Sequence, residues 1–398
     1  MFIMNILFVN NNPANPSAGG IERVTDVLTK MFLRGGHTVY YLCEKVSQSQ
    51  EWVLKYDFPV AVYQLPKFGR FNIIENASFY KSLLAKLNID VVVNQRGLGG
   101  WYNDMLSITD VKIISVIHNR ADAPIIEYPN IIIDRTSPPY IKIKRLIKTV
   151  LYPIISAYWR HKITNDVTRA YKDLAKYSDI ILTLSNLDSL IMDKIIGVPS
   201  KAKILSMPNP NTFDVEVSNI NKKKSILYIG RLKKSDKNPM RLLKIWKLIY
   251  KKHMDWQLII VGEGEEKEKM QNYVSRFDMT NVYFESRQTN VASYYANASI
   301  LCLVSNFEGR PMVITEGMQY GCIPITFDSY GAAREIIDDG VNGCLVPSFR
   351  IKEYANRLEE LMDDEEKRVS MAMNAQKKVK AFSAEIVADQ WEKLLGSL

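Results

Sequence analysis

The stretch ILCLVSNFEGRPMVITE, residues 300–316, decides the fold. Its apolar start, residues 300–304, predicts a buried strand. Gly309 and Pro311 predict a turn, and apolar and small residues at helical spacing from Val313 onward predict a helix. Glu308 is therefore expected in a loop at the carboxyl end of a strand, and Glu316 near the start of the next helix. In an open α/β sheet, ligands bind at that edge.

The residue types of this stretch indicate what such a ligand would carry. A helix amino terminus offers free N–H groups and positive potential to a phosphate, and two carboxylates can accept hydrogen bonds from hydroxyls. A sugar nucleotide has both kinds of group. The alternative is an ordinary loop glutamate followed by a solvated helix glutamate.

Alternating strands and helices extend in both directions from this stretch and predict parallel, doubly wound sheets. Strands are predicted at residues 5–10, 37–42, 91–93, 113–117, 180–184, 226–229, 257–261, 282–284, 300–304, 322–327 and 344–346. The turn-rich segment 207–211 predicts a linker. We therefore expect two Rossmann-like α/β domains, residues 1–207 and 208–382, with a carboxyl-terminal helix at about 383–398 that packs back on the first.

Composition limits the class of protein. The chain has 398 residues, 47% hydrophobic and 24% charged, which is typical of a globular protein. No apolar run is long enough to span a membrane, and the first residues predict a strand rather than a signal peptide. The four cysteines form no CxxC pair and the four histidines are scattered, so neither disulfides nor a metal site are predicted. These features favour a cytoplasmic protein.

Three glycine-containing loops follow predicted strands and are candidate phosphate sites. Gly19 and Gly20 precede a helix and let backbone N–H groups approach an anion. In the loop 230–239, Arg231 offers a planar fork and Lys237 a point charge to a diphosphate. Gly262, in the turn Gly-Glu-Gly, permits close backbone approach to a ligand. The alternatives are a flexible turn, a solvated basic loop and a plain turn, respectively.

In this order the motifs resemble the retaining glycosyltransferases of family 4, whose GT-B fold has two Rossmann-like domains facing a cleft. The resemblance is strongest over residues 226–347 and weakens to Gly19, Gly20 and His118 in the first half, where acceptors bind in that family. It implies that Glu308 lies near the donor sugar hydroxyls and that Glu316 accepts from the ribose. It places these backbone segments against sugar and phosphate: Gly309, Arg310, Pro311, Met312 and Val313.

The resemblance also implies the remaining roles. Arg231 and Lys237 match the pair that neutralises the diphosphate leaving group, and Gly20 matches a backbone donor opposite them. His118 matches a histidine near the transferred sugar, although a strand-end histidine that caps a loop is the alternative. Two positions depart from the family pattern. Arg310 stands where an aromatic or small residue is usual, and Ser286 stands where glycine is often found near the base.

The resemblance therefore implies a hexosyltransferase that uses a nucleoside-diphosphate sugar, linked to UDP, in bacterial-type surface polysaccharide or lipopolysaccharide synthesis. No Asp-x-Asp motif is present, so no metal ion and no other cofactor are predicted. A sugar-nucleotide epimerase of the same fold is an alternative. It should have paired acid and base carboxylates in the first domain, where Asp122 and Glu127 are the candidates.

Charge raises a further alternative, a non-enzymatic protein that binds nucleic acid or membrane. Residues 1–207 carry 25 Lys and Arg against 17 Asp and Glu, whereas residues 208–398 carry 27 against 26. No RNA-binding or helix-turn-helix signature accompanies this excess, so no nucleic-acid partner is predicted. Residues 141–162 combine helical apolar spacing with a basic start and Tyr158 and Trp159, which is typical of a helix on an anionic membrane surface. Pro153 predicts a break or kink, and a core helix with solvated lysines is the alternative.

Overall fold

The structure is a computed structural model that describes residues 3–12, 15, 19–44, 60–67, 74–97, 111–126, 143–197, 200–213 and 222–398. In the helix that begins at residue 143, side chains are described from residue 157 onward. By its internal contacts the chain divides into two units. The first comprises Met1–Met207 and Ala388–Leu398, and the second comprises Pro208–Val387.

The first unit is built on a parallel sheet. In its described part the strands are β1 Asn5–Asn10, β2 Thr38–Cys43, β3 Ala61–Gln64, β4 Val91–Asn94, β5 Lys112–Val116, β6 Ile180–Thr183 and β7 Lys203–Ser206. The described helices are α1 Gly20–Arg34, α2 Ile74–Lys86, α3 Ile143–Tyr177 and α4 Asn186–Ile196. The strand order is β3-β2-β1-β4-β5-β6-β7. All its described pairings are parallel, which places the carboxyl ends of the strands at one edge.

The local sequence explains these elements. β4 is buried along its whole length, as expected for a strand covered on both faces. α1 buries Val24, Leu28 and Met31 on one face. The helix ends at Gly35 and Gly36, and Gly36 has a φ of +84° that favours glycine.

The last helix of the chain, which we number α12 (Ala384–Leu395), contributes its end to the first unit. The ring of Trp391 meets Phe32 edge-on, with centroids 5.6 Å apart. Glu392 lies 3.0 Å from Nε2 of His37, whose Nδ1 accepts a hydrogen bond from the backbone of Met4. The chain re-enters the first unit at Ala388, inside this helix, a few residues later than the predicted start at 383.

The second unit contains a six-stranded parallel sheet in the order β10-β9-β8-β11-β12-β13. Its strands are β8 Lys223–Ile229, β9 Gln257–Val261, β10 Val282–Glu285, β11 Ala298–Leu303, β12 Ile323–Asp328 and β13 Cys344–Pro347. Its α-helices are α5 Met240–Ile249, α6 Lys267–Arg276, α7 Ala292–Asn297, α8 Met312–Gln319, α9 Ala333–Ile336, α10 Ile351–Asp363, α11 Glu365–Val379 and the start of α12. The core includes Trp246, Trp256 and Tyr354, each almost fully buried.

The predicted fold class, two Rossmann-like parallel α/β domains, is confirmed. Each predicted strand is present, with bounds that differ by a few residues at most. Two strands, β3 and β7, were not predicted. Of the break or kink predicted at Pro153, the break is wrong, because α3 runs through Pro153 as one helix of 35 residues, and the kink stays a prediction. None of the helices in the described part of the chain combines the length and apolarity that a bilayer crossing requires.

Candidate active site

Backbone hydrogen bonds with the turn after β9 hold the loop between β8 and α5, residues 230–239. The backbone N–H of Leu232 donates to the carbonyl of Glu263 at 2.8 Å, and Gly230 donates to Val261 at 3.1 Å. Gly262 has a φ of +152°, and a Cβ there would lie 2.0 Å from the carbonyl oxygen of Gly230. The close approach that this glycine permits is therefore to the loop that carries Arg231.

Asn306, in the loop after β11, joins that loop to residues 230–239. Its amide nitrogen donates to the carbonyl of Ser235 at 2.7 Å, and its backbone N–H donates to the carbonyl of Asp236, also at 2.7 Å. Its amide oxygen accepts from the guanidinium of Arg241 at 2.9 Å. Arg241 also donates to the carbonyl of Val304, at the end of the preceding strand, at 2.7 Å. Two loops distant in sequence are thus fixed to each other at the carboxyl edge of the sheet.

Lys237 and Glu308 meet across this junction. Nζ of Lys237 lies 2.5 Å from Oε1 of Glu308, and the hydroxyl of Ser305 donates to the same oxygen at 2.6 Å. The side chains of Lys237 and Glu308 are 19% and 11% exposed, so this is a largely buried ion pair. Burial of either charge would be costly without the other. The pairing therefore fixes both groups in position.

Arg231 has a different environment in the same loop. Its side chain is 71% exposed, and one guanidinium nitrogen donates to Asp236 at 2.8 Å. The carboxylate of Asp236 is held in turn by the hydroxyl of Ser235 at 3.1 Å. Because a guanidinium carries five N–H donors, this contact leaves Arg231 able to bind an anion as well.

Glu316 lies in α8 and is buried, with 1% of its surface exposed. Its two carboxylate oxygens accept hydrogen bonds from the hydroxyls of Thr212 at 2.7 Å and Tyr295 at 2.8 Å. The ring of Phe213 packs edge-on against Tyr295 and Tyr320. Glu316 is therefore held in place by hydrogen bonds to both of its carboxylate oxygens. The alternative interpretation, a solvated helix glutamate, is wrong.

The residues between the two glutamates form the start of α8. Pro311 precedes the first helical residue, Met312, and its side chain makes no hydrogen bond that caps this helix end. The side chain of Arg310 turns away from it. Its guanidinium pairs with Glu335 at 3.1 Å and lies 4.3 Å from the ring centre of Phe382. Arg310 can therefore face a ligand here through its backbone only.

The predicted residues of the first unit lie at the carboxyl edge of its own sheet. Gly19 precedes α1 and Gly20 is its first residue. The backbone at Gly19 is extended, so its conformation does not itself require glycine. His118 follows β5 and its Nε2 is hydrogen-bonded to Oε1 of Gln95. Burial lowers the pKa of His118 to about 4, so the imidazole is neutral at physiological pH.

The epimerase alternative required two acid and base carboxylates in this unit. Asp122 is bound by the guanidinium of Arg120, with contacts of 2.5 and 3.0 Å. Its predicted companion, Glu127, lies outside the described residues. In the part of the chain that the structure describes, no three His, Cys, Asp or Glu side chains gather as a metal-binding group.

The structure thus brings Arg231, Lys237, Glu308 and the start of α8 together at one sheet edge. Sequence reasoning did not identify the residues that hold them: Thr212, Asp236, Tyr295, Ser305 and Asn306. The only local signal was that three of them lie within three residues of a predicted site residue.

Comparison with known proteins gives the family. The family model for glycosyl transferases group 1 matches residues 211–378. An uncharacterized glycosyltransferase of Haemophilus influenzae is 30% identical over 246 residues, which cover 60% of this chain and 68% of that protein. The chain belongs to the group 1 glycosyltransferases.

The chain is also similar to a characterised enzyme and to a solved structure. This glycosyltransferase is 29% identical over 275 residues to a Campylobacter jejuni α-1,4-N-acetyl-D-galactosaminyltransferase, covering 67% of this chain and 73% of that one. That enzyme is named for a GalNAc-containing substrate linked to PP-undecaprenol. The crystal structure of Anabaena HepE in complex with UDP and glucose has the same fold, with a TM-score of 0.73 and 17% identity. The match covers 99% of this chain and all of that one.

Proposed function

We propose that this protein is a retaining hexosyltransferase of family 4 that uses a UDP-sugar and needs no metal ion. The observation that carries the proposal is the contact between Lys237 and Glu308 beside the start of α8. A cation, a carboxylate and a helix amino terminus at one sheet edge suit a ligand with both phosphates and hydroxyls. UDP is bound in the Anabaena protein of the same fold, and retention rests on the resemblance to family 4.

The charges suggest how the donor would be cleaved. As the bond between sugar and diphosphate breaks, negative charge develops on the leaving phosphate, and fixed cations stabilise it without reorganising. Lys237 has three N–H donors, so it can keep its hydrogen bond to Glu308 and still donate to a phosphate oxygen. Arg231 would bind the same diphosphate with the donors that Asp236 does not use. Backbone N–H groups of Met312 and Val313, in the first turn of α8, would complete the anion site.

A chelator and one variant test this role. Donor hydrolysis, measured across a panel of UDP-sugars, should survive EDTA. Lys237→Met should lower turnover by about 10²- to 10³-fold, the effect of one lost oxyanion-type donor. Lys224→Met is the matched control, because Lys224 is an exposed lysine of β8 that pairs with Asp255. Activity that disappears with EDTA and returns with Mg²⁺ or Mn²⁺, or unchanged turnover in Lys237→Met, would contradict the proposal.

The two glutamates would serve different parts of the donor. Glu308 would accept hydrogen bonds from the sugar and Glu316 from the ribose. A carboxylate oxygen can accept more than one hydrogen bond, so the bonds from Thr212 and Tyr295 do not by themselves prevent this. Glu316→Gln should weaken UDP binding in calorimetry, whereas Glu308→Gln should lower turnover and leave UDP affinity nearly unchanged. Equal loss of UDP affinity in both variants would refute this division.

For the acceptor we propose a lipid-linked glycan or lipopolysaccharide at the cytoplasmic face of a membrane. The Campylobacter jejuni relative supports a lipid-linked acceptor by its name. In α3, Tyr158 is exposed and packs edge-on against Trp159, and Nζ of Lys162 lies 5.1 Å from the ring centre of Trp159. Aromatic rings beside lysines are typical of a membrane interface; Lys142 and the side chains before residue 157 lie outside the described part.

Sedimentation with vesicles tests the membrane contact. The protein should sediment with phosphatidylglycerol vesicles at low salt and be released at high salt. The double variant Tyr158→Ser with Lys162→Gln should bind more weakly. Lys172→Gln, an exposed lysine farther along the same helix, is the control and should bind like the wild type. If the wild-type protein does not sediment with these vesicles at low salt, the acceptor is in solution and not at a membrane.

A further inference from the structure

Three neighbouring strands of the first unit end in polar residues. β1 ends at Asn10, Gln95 directly follows β4, and His118 lies just after β5. In the sheet, β4 lies between β1 and β5. The register pairs Val9 with Asn94, so Asn10 and Gln95 lie side by side at the carboxyl edge. The backbone N–H of Gln95 donates to the carbonyl of Val9 at 3.0 Å, which continues that register.

The side chains of Asn10 and Gln95 are buried with unused hydrogen-bonding groups. The two residues are 4% and 2% exposed. Among the described residues, neither the amide oxygen nor the amide nitrogen of Asn10 has a hydrogen-bond partner, and neither does the amide nitrogen of Gln95. The oxygen of Gln95 is already bonded to Nε2 of His118. Buried polar groups are nearly always paired, so three unpaired atoms on two adjacent residues require a partner that the described residues do not supply.

Two arginines beside these residues in sequence are paired within the unit. Arg96, which follows Gln95, lies 2.9 Å from the carboxylate of Glu44. Arg120, just after His118, is bound by Asp122. His118 is neutral, because burial lowers its pKa to about 4. The described residues Asn10, Gln95 and His118 therefore present amide donors and an amide acceptor rather than a charge at this edge.

We propose that Asn10 and Gln95 form a binding subsite for the hydroxyls of an uncharged sugar ring, that of the acceptor glycan. A sugar hydroxyl both donates and accepts, so adjacent hydroxyls can pair with the oxygen and nitrogen of Asn10 and with the nitrogen of Gln95. The diphosphate of a sugar nucleotide, fully ionised, can only accept and would leave the oxygen of Asn10 unpaired. The assignment of this sugar to the acceptor rests on the proposed glycosyltransferase function, but the binding of a sugar does not.

Apolar substitutions of similar size test the subsite. The probes are the methyl α-glycosides of glucose, galactose, N-acetylglucosamine and N-acetylgalactosamine, with binding measured by saturation-transfer NMR and UDP binding measured by calorimetry. Wild-type protein should bind at least one glycoside. Asn10→Leu and Gln95→Met should each weaken that binding by about 10- to 100-fold, as expected when a buried hydrogen bond is lost, and weaken UDP binding by much less.

Thermal unfolding separates this role from a structural one. Because Asn10→Leu replaces unpaired buried atoms with apolar ones, its melting temperature should equal or exceed that of the wild type. The control is Asn76→Leu. The amide of Asn76 is also buried but bonds the backbone of Lys67 twice, each time at 2.9 Å. This variant should melt earlier and keep its glycoside affinity.

The outcomes are distinct. Unchanged glycoside affinity in Asn10→Leu and Gln95→Met, an equal loss of UDP affinity, or no glycoside binding by the wild type would each overturn the subsite. Competition by inorganic phosphate would overturn its uncharged character. Glycoside binding that depends on both residues, in a protein that cleaves no UDP-sugar, would support the subsite and refute the proposed function instead.

Discussion

Replacing Gly262 by alanine tests whether the turn after β9 sets the position of the Arg231 loop. Gly262 has a φ of +152°, and its added Cβ would lie 2.0 Å from the carbonyl oxygen of Gly230. Cβ atoms essentially never come closer than 3.0 Å to a neighbouring atom, so the two backbones must separate by about 1 Å. Gly340 offers a matched control, because it also has a positive φ, +76°, but no atom within 4 Å of its Cβ position.

The two variants should differ by the cost of the clash. A positive φ costs a residue with a side chain about 1–2 kcal/mol, and Gly340→Ala should lose only that. Gly262→Ala has this cost too. In addition, the separation of the two backbones strains the hydrogen bonds from Gly230 to Val261 and from Leu232 to Glu263. At about 0.5–1.5 kcal/mol for each bond, the free energy of unfolding should fall by about 2–5 kcal/mol in total.

Urea-induced unfolding followed by tryptophan fluorescence measures this difference, since Trp246 and Trp256 are fully buried in the same unit. Turnover of the UDP-sugar should fall by about 10²-fold in Gly262→Ala, because a misplacement of about 1 Å at a site that positions substrate has that effect. Gly340→Ala should keep its turnover. Equal losses of stability in the two variants would refute the packing argument. Lost stability with full turnover would show that the Arg231 loop does not serve the donor.

Three other perturbations have defined outcomes. Lys237→Met should lower the free energy of unfolding by about 3 kcal/mol, because Glu308 would stay buried without its partner. Adding Glu308→Gln should restore most of this loss. A double variant as unstable as the single one would contradict the prediction. The pKa of His118 is about 4, below its ordinary value of 6.5, so its contribution to stability is complete above pH 6.5 and decreases toward pH 4. In His118→Gln, the stability loss between these pH values should be smaller by about 1–3 kcal/mol, and identical pH profiles would exclude this effect. Asn306→Ala should lower the free energy of unfolding by about 2–4 kcal/mol and reduce turnover. The control is Asn297→Ala, because Asn297 is exposed and its amide donates within its own helix; it should lower the free energy of unfolding by less than about 1 kcal/mol.

Most strands could be predicted because a strand covered on both faces needs a continuous apolar run. β9, Gln257–Val261, has the same bounds in the prediction and in the structure. The two strands that were not predicted, β3 and β7, form the two ends of the seven-stranded sheet. Their residues are partly exposed, so they lack such a run.

The helix through Pro153 shows the limit of a local rule. A proline removes one backbone hydrogen bond and disfavours the preceding turn. α3 nevertheless continues through Pro153, and a helix of 35 residues has many other backbone hydrogen bonds. A proline signal therefore indicates where a helix is weakened, but the sequence alone does not show whether it ends there.

The sequence by itself determined the order of strands and loops, and with it the edge at which Arg231, Lys237, Glu308 and Glu316 would lie. Those positions follow from chain connectivity and from the parallel sheet, which gathers the carboxyl ends of its strands. Only the tertiary structure decided which groups pair. Lys237 contacts a glutamate 71 residues away, and Glu316 contacts a threonine 104 residues away. Such contacts depend on how separate loops meet in space, and no local pattern of residues specifies that.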